Sequence, residues 1–107
     1  MAQEQRQQTQ GQGQQQQIQI KITDDILKGA ISNMMAVSHT KEEFVIDFMN
    51  IYPAQGQGIV TARVVVTPGH IKRIVNALTE NVQRYEKQFG KIEESSAPEQ
   101  DFGFKPE

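Results

Sequence analysis

The chain reads as an α+β domain, a four-stranded antiparallel meander followed by one long C-terminal helix in β-β-β-β-α order. Three observations predict this. Residues 18–22, Ile-Gln-Ile-Lys-Ile, alternate apolar and polar side chains with the period of a strand that buries one face. Two further runs, 44–51 and 59–66, are rich in aromatic and β-branched residues and are parted by a break containing proline and glycine. From Pro68 the apolar residues then return every three or four positions as far as Phe89, the spacing of one helix face.

Taken in order, residues 18–22 form the first strand. Residues 26–39 carry two signals. Ile26, Leu27, Ala30, Ile31, Met34 and Met35 recur at helical spacing after Thr23-Asp24-Asp25, while Gly29, Ser32, Asn33 and the Val37-Ser38-His39-Thr40 exit disfavour a helix. The preferred reading is a turn at 24–27 and a second strand over about 28–38, with a helix as the alternative. Thr40-Lys41-Glu42-Glu43 is a short polar turn. The third strand, 44–51, places Phe44, Ile46 and Phe48 on one face and Val45, Asp47 and Met49 on the other. Residues 52–58 form a hairpin loop. In the fourth strand Val60, Ala62, Val64 and Val66 share one side, and Ile59, Thr61, Arg63 and Val65 the other. Thr67 can cap the helix, Pro68 suits its first position, and Gly90 supplies the stop.

Composition confines this unit to part of the chain. Of 107 residues 36% are hydrophobic and 22% charged, but ten of the first 17 are Gln. Residues 1–17 are therefore read as a disordered Gln-rich arm, 18–92 as the folding domain, and 93–107 as a disordered acidic tail. Charge divides the same way. The formal net charge of −2 is the sum of a neutral arm, a core of nine bases and seven acids, and a tail of five acids and Lys105. A folding unit of this size buries only ~60% of its unfolded surface. With no cysteine the chain has neither disulfides nor thiolate metal sites to support it. No apolar run approaches the ~20 residues of a membrane span, and no apolar segment of signal-peptide type follows Met1. The expected setting is the cytoplasm, with no cofactor and no metal.

The helix also implies a partner. Twenty-two residues from Pro68 to Phe89 span ~33 Å, whereas four strands make a sheet only ~19 Å wide. The helix overhangs its own sheet, so Leu78, Val82, Tyr85 and Phe89 would be exposed in a monomer. So would Val45, Met49, Ile51, Ile59 and Val65 on the second sheet face. A two-fold homodimer that covers both patches is the expected answer.

The strings Ser32-Asn33, His39-Thr-x-x-Glu-Phe-Val-x-Asp-Phe48, Thr67-Pro-x-x-x-Lys-Arg73 and Tyr85-Glu-x-x-Phe-Gly90 resemble a small prokaryotic family catalogued as a domain of unknown function. The resemblance covers about residues 18–92. It implies a bacterial protein with a link to transcription and a protein of the transcription machinery as a partner. The β-β-β-β-α order, with its Thr-Pro-led helix, is also similar to the PUR, Whirly and PC4 group of single-strand binders. That likeness of topology implies a sheet that binds single-stranded DNA or RNA and helices that make the dimer. Two features depart from it: the core is only +2, and Phe44 and Phe48 share a face with Ile46 and so belong to the core.

A single-strand binder needs cations along the phosphates and rings for the bases to stack on. The residues that would supply them are Lys21, Lys28 and Arg63 on the outer sheet face, Tyr52 at its rim, and Lys72 and Arg73 on the helix. Each also has an ordinary reading, as a solvated side chain or, for Arg63 and Lys21, as a partner of Asp47. Asn33 and Asp47 are polar positions inside strand-like runs, read as an internal polar pair that sets register. His39 and His70 have no acid at a ligand spacing, and Thr40-x-x-Glu43 suits a turn better than a catalytic pair. Phe102 and Phe104 in the acidic tail suit a docking peptide or a plain solubilising end. The expected function is a non-enzymatic dimeric module for single-stranded or distorted nucleic acid. The alternative is a protein-interaction subunit with no nucleic-acid contact.

Overall fold

The computed structural model describes residues 16–96 and Gly103. A single helical turn, α1 (Asp24–Leu27), precedes three strands, β1 (Met34–His39), β2 (Phe44–Tyr52) and β3 (Gln57–Val66), and the long helix α2 (Pro68–Phe89). The strands form an antiparallel meander in the order β1-β2-β3. The fold is therefore α+β as the sequence predicts, with three strands where four were expected. Most of the Gln-rich arm and of the acidic tail, with Phe102 and Phe104, lie outside the described residues.

The missing strand is 18–22. Residues 16–23 have no regular structure, and Ile18, Ile20 and Ile22 are exposed. Alternation alone does not make a strand: the ladder needs a partner edge, and here this segment pairs with neither β1 nor β3. The ambiguous stretch 26–38 takes a little of each reading. A helical turn starts at Asp24 but stops at Leu27, with Lys28 as its cap and Gly29 beyond at a left-handed φ of 79°, and the strand begins only at Met34.

Residues 31–33 between them are stitched to β2 by side chains. The Asn33 amide donates to the Ile51 carbonyl at 3.0 Å and accepts from the Ile51 N–H at 2.9 Å, acting as an extra peptide group beyond the end of β1. The Ser32 hydroxyl donates to the Met49 carbonyl at 3.1 Å, and the Asn50 amide to the Ile31 carbonyl at 2.7 Å. Asn33 and Asp47 thus both have partners, but not each other.

The two hairpins follow local chemistry. Thr40 N–H donates to the Glu43 carbonyl at 2.9 Å, and the Thr40 hydroxyl accepts from Glu42 N–H, closing the β1–β2 turn. The second loop is shorter than expected, because β2 continues through Tyr52 and β3 begins at Gln57. A turn of 3-10 helix, Pro53–Gln55, and left-handed Gly56 connect them.

Register sorts the sheet into two faces. Asp47 stands opposite Ala36 and Arg63, with Val45, Met49 and Ile51 beside it on the ion-pair face. Ile46 stands between Val37 and Val64 on the other, which carries Met35, Phe44, Phe48, Ala62 and Val66, with His39 at one end against Phe44 and no acid, lysine or arginine; we call it the apolar face. A bulge intervenes: Phe48 pairs with Ala62 but Met49 with Val60, leaving Thr61 as the extra residue on β3. Its hydroxyl donates to the Phe48 carbonyl at 3.2 Å. The bulge moves Val60 to the ion-pair face and Ile59 to the apolar face, the reverse of the simple alternation read from 59–66.

Among the described residues the buried set is small and central: Ile46, Met49, Ile51 and Asp47, all on β2. Met49 and Ile51, expected to be exposed in a monomer, are only 4% and 7% accessible. Residues 31–33 wall in that end of the strand, and Gly58 leaves room for Ile51, whose Cγ2 would lie 2.8 Å from a Cβ placed on Gly58.

Helix α2 has the bounds the sequence predicts. Thr67 caps it, its hydroxyl accepting from His70 N–H at 3.2 Å, and Gly90 ends it with a φ of 99°. It does not lie over its own sheet as expected. None of its residues is buried, and only Ile71, Ile74 and Glu86 are half-buried. The physical reason is the connection, a single residue, Thr67, between β3 and α2. Connections that turn a helix back onto a sheet usually take about 2–6 residues.

Candidate binding surfaces

The best-formed polar feature is the Asp47–Arg63 pair at the centre of the ion-pair face. The two residues are direct cross-strand neighbours. Arg63 Nε donates to Asp47 Oδ1 at 2.6 Å and Nη2 to Oδ2 at 2.9 Å, a two-pronged contact matching the planar guanidinium to both carboxylate oxygens. The side chains differ in exposure, Asp47 at 9% and Arg63 at 61%. The hydrogen bonds from Arg63 hold the Asp47 carboxyl below the usual carboxylate range, against the opposing effect of burial, and the attraction between the charges adds to the lowering. The same contacts raise Arg63. Ala36, Val37 and Ser38 border a shallow depression beside the pair.

The six residues expected to bind nucleic acid do not share one groove. Arg63 is on the ion-pair face, and Tyr52, at the end of β2, falls on the apolar side opposite Gln57. Lys21 lies in the extended segment before α1, and Lys28 caps that turn, so neither lines the sheet face to which the sequence reading assigned them. Lys72 and Arg73 are in the first turns of α2, where Arg73 Nη2 approaches His70 Nδ1 at 3.0 Å. The remaining histidine, His39, stacks on Phe44 with ring centroids 5.1 Å apart. Among the described residues no three His, Cys, Asp or Glu side chains form a group that could hold a metal ion, and no helix is long and apolar enough to cross a membrane.

The apolar surfaces converge far better. Leu78, Val82, Tyr85 and Phe89 lie on one exposed stripe of α2, Leu78 at 62% and Phe89 at 66% accessibility. The rings of Tyr85 and Phe89 sit 4.9 Å apart at 47°, a tilted pair presented to solvent. Sequence reasoning missed the extent of the second surface, the apolar sheet face, where Met35, Val37, Phe48 and Val64 are all exposed. Their period-2 placement was the available signal, and it was read as a core already covered by the helix.

A family model described as "Protein of unknown function (DUF3467)" matches residues 1–94. The chain belongs to that family. The DUF3467 match runs through the arm, the sheet and all of α2, so both exposed surfaces fall within the family's own span. No curated protein and no solved structure matches the chain.

Proposed function

We propose that this member of the family is a non-catalytic binding module that self-associates through α2 and, once assembled, presents the ion-pair face of its sheet to a protein partner. One observation carries the reading: a 22-residue amphipathic helix with no buried residue. An apolar stripe of that length left in water is a cost that a partner surface removes. The groups best placed for acid–base chemistry are engaged elsewhere, His39 against Phe44, His70 with Arg73 and Asp47 with Arg63, which supports a binding role over a catalytic one.

Single-stranded nucleic acid is the second reading, and the exposure of Arg63 favours it, since more than half of that side chain is open to a phosphate despite its ion pair. The scatter of Lys21, Lys28, Tyr52, Lys72 and Arg73 counts against it. Light scattering on the full chain tests the first reading, with a homodimer expected and a concentration-independent monomer overturning it. A salt titration of fluorescent single- and double-stranded oligonucleotides separates the partner classes. Binding at ~50 mM salt that falls steeply as salt rises, and that Arg63→Ala with Lys21→Ala weakens, would move the assignment to nucleic acid.

A further inference from the structure

Two apolar surfaces of this chain are complementary, and the chain cannot bring its own pair together. One is the α2 stripe running from Val75 through Leu78 and Val82 to Phe89, all exposed. The other is the apolar sheet face, where exposed Val37 and Val64 flank the buried Ile46. Their lengths agree: the 22 residues of α2 span ~33 Å, and the 10 residues of β3 span about the same at ~3.3 Å each. A helix laid along the strands would cover the face from end to end. The single residue Thr67 between β3 and α2 is too short a connection for the helix to reverse onto the sheet it has just left.

We propose that α2 of one copy lies lengthwise on the apolar sheet face of a second copy, and that the second copy returns the same contact, giving a two-fold dimer. The inference rests on the self-association proposed above and specifies what each helix touches. A second copy is the occupant because both halves of the contact belong to the same chain, the condition for a closed two-fold interface. Pairing α2 with α2 alone would cover the stripe but leave Met35, Val37, Phe48 and Val64 in water, whereas the exchange covers both surfaces at once. The apolar face brings no acid, lysine or arginine into the contact, and His39, at its end, is stacked on Phe44, while the ion-pair face would require burying Arg63. Stripe and face, with their flanking residues, are of the order of the ~20–30 residues a side that a specific interface uses. Full overlap of two equal lengths puts the middle of α2, at Leu78, over the middle row of the apolar face, at Met35, Phe48 and Ala62, whichever way the helix runs.

Site-directed cross-linking tests the arrangement, and the absence of cysteine from the chain removes any background. A tagged Met35→Cys chain and an untagged Leu78→Cys chain are co-expressed at full length and oxidised. Circular dichroism and light scattering on the reduced proteins check the fold and the assembly. The expected product is a mixed disulfide between the two variants, exceeding the Leu78→Cys homodisulfide by at least severalfold. Should Met35→Cys fail to fold, Ala62→Cys on the other side of Phe48 takes its place with the same expectation. A dimer that yields the Leu78→Cys homodisulfide and no mixed product would overturn the exchange while leaving self-association through α2 intact. A dimer that yields neither product also overturns the exchange. A monomer by light scattering overturns both.

Discussion

Asp47 and Arg63 show how two facing positions organise a sheet centre. The carboxylate is almost wholly covered and its partner is mostly open, so the guanidinium both satisfies the acid and shields it from the apolar neighbours. The folded-state pKa of Asp47 lies below its unfolded value of about 3.9. The pair therefore contributes stability that is present above that value and is lost as pH falls through the folded pKa. Urea midpoints of wild type and Asp47→Asn should differ at pH 7, and the gap should narrow below about pH 4. A gap independent of pH would contradict the assignment. Gly58 carries a second residue-scale prediction. A Cβ there would meet Ile51 Cγ2 at 2.8 Å and the Asn50 carbonyl at 3.3 Å, neither of which can swing aside as the tip of a long side chain would. Gly58→Ala should cost about 1–3 kcal/mol, as overpacking does, read as a lower urea midpoint. The Arg63 partnership was legible from the strand runs as one of two readings. The role of Asn33 was not, because an amide that imitates a peptide group leaves no periodic trace.

Among the elements, those with local instructions were legible and those needing a distant partner were not. Helix α2 has its cap, its proline and its terminal glycine within its own bounds, and both ends fall where the sequence places them. The Thr40–Glu43 turn is local in the same sense. The 18–22 segment has strand periodicity but no edge to join among the described residues, so its isoleucines stay in solvent. The bulge at Phe48/Met49 was illegible for another reason: Ile59–Val66 alternates smoothly as a sequence, and only pairing with β2 reveals the extra Thr61. The exposed residues of α2 make the element-scale prediction. Leu78→Lys puts a charge in the middle of the stripe at a position that is no part of the monomer's core. Light scattering should show dissociation to monomer, with the oligomer population reduced at least tenfold. An unchanged dimer would move the interface away from α2.

At the scale of the whole molecule, the four buried residues among those described, all on one strand, are too few to hold a sheet and a 22-residue helix together against chain entropy. Assembly and folding should therefore be one equilibrium. The melting temperature should rise with protein concentration, by mass action, over a hundredfold range, and a Tm independent of concentration would show that the chain is stable alone. This was the part most readily misjudged from sequence. The helix length and the apolar stripe pointed to a missing partner, yet the reading still gave α2 its own sheet to rest on, because nothing in the residue pattern says how far a connection lets an element travel.

That connection is also a place where the assembly could be rewritten. Thr67 acts as a hinge with no slack, and exchange of an element between copies is favoured when a hinge is too short for the element to fold home. Inserting four to six Gly and Ser residues between Val66 and Thr67, which keeps the cap, should let α2 close onto its own apolar face and convert the proposed dimer into a compact monomer. Small-angle scattering and light scattering would report the change in size and mass. By this reasoning the length of a single joint in the backbone sets whether the same two surfaces meet within one body or between two.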